Sequence, residues 1–209
     1  TKIESASLFK PVNFFEQGNF GMMKGSPITG HGVYCPAPVL PWGEDGRSIR
    51  QWNWYQYSAC AVEVAVNEET GQVKVLKYSS AADTGNPINP ELVRGQIEGG
   101  VMMAIGFAIN EDHYYDKNGK VWNANLGDYR VPTSLDVPKV ADTYAHICPD
   151  PLPDGPFGAK GMAESITVPV APAIAEAIYK AVGVRVTYYP MTAESVLALI
   201  KEKKEKEAK

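Results

Sequence analysis

Cysteine is scarce in these 209 residues: Cys35, Cys60 and Cys148 are odd in number and far apart in the chain. That excludes a disulfide framework and any CxxC-type zinc or iron–sulfur site, and a reducing cytoplasm is the simplest compartment to expect. An excess of positive charge is missing too. Twenty Lys and Arg stand against 24 Asp and Glu for a net charge of −4, so nothing points to nucleic acid. Nor is there an uninterrupted apolar run of the roughly 18 residues that a spanning helix needs, and the opening Thr1-Lys2-Ile3-Glu4 carries no apolar signal region. The reading is a chain that neither spans a membrane nor is visibly targeted. Its start at Thr1 without Met raises the expectation of a removed upstream segment or a longer parent. Internal repeats and the GxxxxGK[ST] and strand-GxGxxG-helix nucleotide motifs are lacking as well. His31, His113 and His146 fall in three different segments without ligand spacing, so no metal site made of protein side chains is expected.

What is present is ordinary globular composition, 44% hydrophobic and 21% charged. The length is enough to bury a core in one or two domains. Residues 1–56 are rich in Gly, Pro and aromatics and read as an irregular connector, with Trp42, Trp52 and Trp54 read as packing residues. Alternation at Val62, Val64 and Val66, a turn at Glu69-Thr70-Gly71-Gln72 and the run 73–77 predict a β-hairpin. Asn89-Pro90 supplies a cap and a first-turn proline for a helix over 91–108. Gly95, Gly99 and Gly100 inside that helix each cost about 1 kcal/mol relative to Ala, which close approach of a backbone or ligand would offset. A second hairpin is expected from 111–115 and 121–124 around Asp116-Lys117-Asn118-Gly119, and a strand over 140–147. A helix starting near Pro169 or Pro172 and closed by Gly183 follows, then a short strand over 184–188. The last element is a helix capped by Thr192 with Ala193, Val196, Leu197 and Ile200 inward, ending in a solvated or frayed charged tail, 202–209. The order implies an α+β domain over 57–201: a mostly antiparallel sheet with two long covering helices.

Chemistry concentrates in the loop Gly158-Ala159-Lys160-Gly161-Met162-Ala163-Glu164-Ser165. Its glycines let backbone N–H groups approach an anion, and a helix N-terminus follows. Glu164 is the only carboxylate between Asp154 and Glu176 and sits among apolar residues, a setting that favours a general base. The plainer reading is a helix-entry Glu satisfied by the dipole and orphan N–H groups. Gln96 is either a ligand-facing amide or a helix-surface glutamine, and Lys160 either a phosphate holder or a solvated loop lysine.

Three stretches together resemble the large molybdopterin-binding subunit of the xanthine dehydrogenase and aldehyde oxidase family. The first runs from Glu63-Val64-Ala65-Val66 through Glu69-Thr70-Gly71-Gln72-Val73-Lys74-Val75, Asp83-Thr84-Gly85 and Ile88-Asn89-Pro90 to Gly95-Gln96-Ile97-Glu98-Gly99-Gly100. The second is Asp128-Tyr129-Arg130-Val131-Pro132-Thr133. The third is the Glu164 loop with Pro172-Ala173-Ile174-Ala175-Glu176-Ala177-Ile178. Their order and spacing hold over residues 57–201. Ala163 departs from the pattern, since many relatives have Gly before the Glu, and the upstream Gly-Gly-Phe-Gly type loop is absent.

The resemblance implies a molybdenum hydroxylase, an oxidoreductase that inserts a water-derived oxygen at an electron-poor carbon of an N-heterocycle or aldehyde. It assigns the general base to Glu164 and cofactor contacts to Gln96, Gly161 and Ala163. It further implies a molybdopterin-type molybdenum cofactor, with the cytosine dinucleotide form expected, shared with a larger molybdopterin-binding chain or a missing upstream portion. Iron–sulfur clusters and FAD are expected on partner subunits. The chain itself would be a separate small subunit or a piece of a longer one. The contrasting expectation is a noncatalytic assembly module that keeps the fold.

Overall fold

A computed structural model describes residues 43–47 and 54–208. Trp42, Trp52, Cys35 and His31, and the reading of residues 1–42 and 48–53 as part of a connector, lie outside the described residues. The expected first hairpin forms from β1 (Ser58–Val66) and β2 (Val73–Asp83), antiparallel and in register from Ser58 opposite Ala82 to Val66 opposite Val73. Asn67 shapes its turn, its side chain accepting from the N–H groups of Glu69 and Thr70 at 2.9 and 3.1 Å. The register slips between Glu63 and Val64, leaving Leu76 as an extra residue in β2. That bulge turns both Val75 and Tyr78 inward although they are three apart, where an unbroken strand would expose one of them.

Asn89 caps the first helix as expected, its side chain accepting from Glu91 N and Leu92 N at 3.1 Å, and α1 runs over Pro90–Ile105. A π-helical turn, Gly106–Asn110, widens its end. β3 (Thr143–Cys148) then pairs with β2 in parallel, Tyr78 opposite Thr143 through Asp83 opposite Cys148. The fold is α+β as expected, but the three-stranded sheet, ordered β1-β2-β3, is mixed where a mostly antiparallel one was predicted. The cause is α1, a long connection that carries the chain back along the sheet so that β3 re-enters in the direction of β2.

The second expected hairpin shrinks to one bridge, Tyr115 with Val121, around a turn in which Asp116 Oδ1 accepts from Asn118 N and Lys120 N. Its ladder stops because the Asn123 side chain takes the next positions, accepting from Tyr114 N and donating to Asp112 O. The short strand predicted over 184–188 is absent as well. Val184 is buried and Val186 partly so, which satisfies the alternation through packing, and no strand among the described residues lies beside them.

Helix α2 spans Val170–Val182 and stops at Gly183. Thr192 caps α3 (Ala193–Glu207), whose Val196 and Ile200 are buried and Leu197 half-buried, while Ala193, expected inward, is exposed at the first turn. α3 stays helical to Glu207, so the charged segment is a solvated helix end.

Inward residues of β2, α1, α2 and α3 join Ile166 and Met191 in one core. The stretches Pro90–Asn110 and Ser165–Val182 are long and apolar enough by length and hydropathy to cross a membrane, and both turn apolar residues into this core.

Three glycines of α1 differ sharply. A Cβ on Gly100 would collide with the Ile166 side chain, whereas one on Gly95 or Gly99 would meet nothing among the described residues. Gly100→Ala should therefore destabilise by about 1–3 kcal/mol through overpacking. Gly95→Ala should stabilise by roughly 0.5–1 kcal/mol, both read from urea unfolding midpoints. A second outcome concerns Tyr78, buried with Ser80 on the inner face, neither hydroxyl having a partner in hydrogen-bonding geometry. Burial pushes the Tyr78 hydroxyl far above the usual tyrosine range, with Ser80 opposing only in part. A raised folded-state value gives stability that is complete below the unfolded value of 10.0 and is lost as pH rises beyond it. Tyr78→Phe should leave stability at pH 7 within about 1 kcal/mol of the parent or above it. It should also flatten the alkaline fall in unfolding free energy.

Candidate functional site

The parallel pairing decides what can meet. The C-terminal ends of β2 and β3 and the start of the antiparallel β1 lie at one end of the sheet, and α1 begins there after Asp83. The segment after β3 returns to this end and clasps β2. Gly85 bridges Ala159, with Asn86 N donating to Gly158 O at 2.9 Å and Lys160 N to Thr84 O at 3.0 Å. Gly85 and Gly158 have φ of 61° and 77°, and a Cβ on Gly85 would strike the Gly158 carbonyl, so both positions need glycine. Phe157 is also left-handed, at φ 56°, a strained state for a bulky residue, and its carbonyl is held by Asn86 Nδ2 at 3.1 Å.

Behind the clasp lies an ion pair that sequence reasoning missed. Lys160 Nζ donates to Asp83 Oδ2 at 2.5 Å and to Asp150 Oδ2 at 3.1 Å. The Lys160 and Asp83 side chains keep only 6% and 8% of their exposure, so Lys160 is neither a free phosphate holder nor a solvated loop lysine. Asp83 Oδ1 also accepts from Gly85 N at 3.0 Å. The hydrogen bond from Lys160 to Asp83 holds its ammonium above the usual lysine range, burial opposing and Asp150 adding to it. Asp83 and Lys160 are 77 residues apart, so no local pattern could have linked them.

Beyond Lys160 the loop changes character. The backbone N–H groups of Gly161, Met162, Ala163, Glu164 and Ser165 find no acceptor among the described residues. Gly161, Ala163 and Glu164 are exposed. The Glu164 carbonyl accepts from Thr167 N and Oγ1 at 2.9 and 2.8 Å, starting a 3₁₀ turn over Ser165–Thr167. Its carboxylate makes no capping bond, so the helix-entry reading of Glu164 does not apply. Among the described residues the expected apolar enclosure of Glu164 does not form either, because Ile166 turns inward under Gly100 while Val168 is 73% exposed. The far end of the strip is pinned by Ser58 Oγ donating to Ser165 O at 2.9 Å, and its middle by Gln56 Nε2 against Met162 Sδ at 3.0 Å. Trp54 packs beside Gly161.

Gln96 is exposed and lies four residues, just over one helical turn and about 6 Å of rise, before Gly100, the residue on which the loop rests. The structure thus brings Gln96, Gly161, Ala163 and Glu164 to one end of the fold. The Asp128–Thr133 segment does not join them: Pro132 packs on Gly106, beyond the opposite end of α1. Among the described residues no group of three or more His, Cys, Asp or Glu side chains converges on a point.

These features fit an anionic, oxygen-rich group without protein metal ligands. Among the described residues, five donors lacking acceptors line the loop, the Ser165 Oγ beside them is buried without a partner, and the facing helix carries two glycines open to an approaching surface.

Over 148 residues the chain is 37% identical to "Probable hypoxanthine oxidase XdhD" of Escherichia coli K12, covering 71% of this chain and 15% of that protein. It is 35% identical over 155 residues to the aldehyde oxidoreductase molybdenum-binding subunit PaoC of the same organism, covering 74% of the chain and 21% of that subunit. Among solved structures, the aldehyde oxidoreductase of Desulfovibrio desulfuricans ATCC 27774 superposes with a TM-score of 0.68 at 35% identity, over 78% of this chain and 17% of that one. The chain therefore spans about a fifth or less of the length of these relatives. Residues 8–138 match the family described as the molybdopterin cofactor-binding domain, and to that family the chain belongs.

Proposed function

We propose that this chain is the C-terminal part of the molybdopterin-binding subunit of a molybdenum hydroxylase, with Glu164 as its general base. The observation that carries the reading is an uncommitted carboxylate on a strip of unpaired backbone donors, held in place at both ends. When bound, the molybdenum cofactor supplies the two-electron acceptor and the water-derived oxygen. The backbone N–H groups of Gly161 and Ala163 would hold it by donating hydrogen bonds, and the Gln96 amide could both donate and accept. Glu164 would accept a proton at its carboxylate in oxygen insertion at an electron-poor carbon of an N-heterocycle or aldehyde. Ala163 in place of the glycine found in many relatives restricts the backbone just before the base.

An exposed base works poorly in water, so the reading includes a partner surface that closes over Glu164 and excludes solvent. That surface belongs to a larger molybdopterin-binding chain or an upstream portion of the same subunit, which shares the cofactor, here taken as the cytosine dinucleotide form. Iron–sulfur clusters and FAD are assigned to partner subunits, since three scattered cysteines cannot hold a cluster. Unpaired Cys60 and Cys148 support a cytoplasmic location. The apolar stretches in α1 and α2 are read as core helices of a protein with no membrane span. Against a noncatalytic module stand Glu164 and Gln96, both present and unengaged among the described residues.

In the assembled complex, Glu164→Gln should retain molybdenum and lose turnover by about 10²- to 10⁴-fold or more. Near-normal turnover per bound molybdenum would dismiss Glu164 as the base. Gln96→Ala, acting on the cofactor's surroundings, should reduce metal content or turnover by about 10- to 100-fold. Metal analysis beside steady-state assays checks this, and unchanged values for both would remove Gln96 from the site.

A further inference from the structure

We propose that Asp83 and Lys160 are positioning residues for Glu164: their buried pair fixes where the unpaired strip 161–165 begins and hence where the carboxylate stands. The inference rests on Glu164 being the base. Three observations support it. Lys160 is the last residue before the strip whose backbone N–H is bonded, to Thr84 O at 3.0 Å. Its side chain is at the same time fixed to Asp83, so one residue is anchored through both backbone and side chain. From there to the turn that starts at the Glu164 carbonyl, no backbone hydrogen bond among the described residues holds the chain, which rests on Trp54 beside Gly161 and on Met162 against Gln56 and the core. Any shift of Lys160 is therefore carried to Glu164, four residues on.

The chemistry of the pair argues in the same direction. A buried ion pair is a poor source of stability, and an apolar pair of similar volume often does as well or better. What charges add is direction. Asp83 divides its two oxygens between Lys160 Nζ and Gly85 N, coupling the position of the loop to the end of β2. Asp150, 77% exposed, holds the third corner from the segment after β3.

The test uses the assembled, cofactor-loaded complex with Lys160→Met, Asp83→Asn, and the double variant D83N/K160Q, which keeps a neutral hydrogen-bonded pair. Turnover is counted per bound molybdenum, and amide hydrogen exchange is followed along the chain. Each single variant should lose at least about tenfold in turnover with KM nearly unchanged, as expected for a group that acts on the chemical step. Exchange of the amides at 161–165 should accelerate by about tenfold or more, while those of α2 keep their protection. The double variant should recover most of the turnover. In the Glu164→Gln background, Lys160→Met should have little further effect.

A lowered melting temperature with normal turnover per molybdenum and unchanged exchange at 161–165 would show the pair to be structural only and overturn the proposal. An equal loss in the Glu164→Gln background would overturn it too, since the pair would then act elsewhere. If Glu164→Gln itself is fully active, the base assignment fails, and the exchange data alone decide whether the pair holds the strip. Should the single variants fail to assemble, D83N/K160Q and Asp150→Asn are judged on the same exchange and turnover readouts.

Discussion

Burying an ammonium and a carboxylate costs several kcal/mol per ion in lost hydration, and the cost is offset only where the pair is close and its remaining hydrogen-bonding capacity is used. Asp83 and Lys160 meet both conditions. The free oxygen of Asp83 accepts from Gly85 N, and Lys160 reaches Asp150 as well. With its backbone N–H on Thr84 O, Lys160 becomes the point where a long, irregular loop is joined to a regular strand. The loop has few anchors of its own after that point. Without the pair, the start of the strip 161–165 would keep only the backbone bond of Lys160 N to Thr84 O among the described residues, with Ser165 O and the Met162 contact holding the rest.

This anchoring depends on the parallel pairing of β2 and β3. In a fully antiparallel sheet β3 would leave at the opposite end, and the segment that follows would have to cross the length of the sheet before reaching Gly85. The helix between the two strands therefore does more than cover the core. It returns the chain so that Asp83 and Cys148 leave the sheet side by side. It also begins at that same end, which places Gln96 one turn from Gly100 and the loop. Placement of ligand-facing loops at the carboxyl ends of parallel strands is familiar from open α/β sheets, and it arises here within a small mixed one.

Much of this was legible in the sequence where a local cause acts. Asn89-Pro90 specifies the start of α1 through a side-chain cap, Gly183 ends α2, Thr192 opens α3, and the valine alternation predicts the first hairpin. Illegible parts had distant causes. The parallel register of β3 follows from how α1 packs, and the loss of the second hairpin follows from the Asn123 side chain competing with the backbone ladder. The same alternation that predicted a strand at 184–188 was satisfied by burial of Val184 on the core. At the site, the loop could be singled out for its glycines and lone carboxylate, but Lys160 had two local readings and neither held. Its partner was already in view at Asp83-Thr84-Gly85, and only the fold could join them.

The open glycines of α1 complete the physical picture. A helix accepts glycine at a cost of about 1 kcal/mol each relative to alanine, and Gly100 is explained by Ile166, which leaves no room for a Cβ. Gly95 and Gly99 have no such neighbour among the described residues, and they flank Gln96 on an exposed stretch that also presents Leu92 at 69% and Met103 at 49% exposure. A core this well closed on its inner face has no internal use for them. The proposed reading requires that a group outside the described residues approach the helix backbone closely there. That requirement, the donors of the strip 161–165 and the uncovered carboxylate of Glu164 all belong to the same end of the fold, so one partner carrying a shared cofactor would satisfy all three at once.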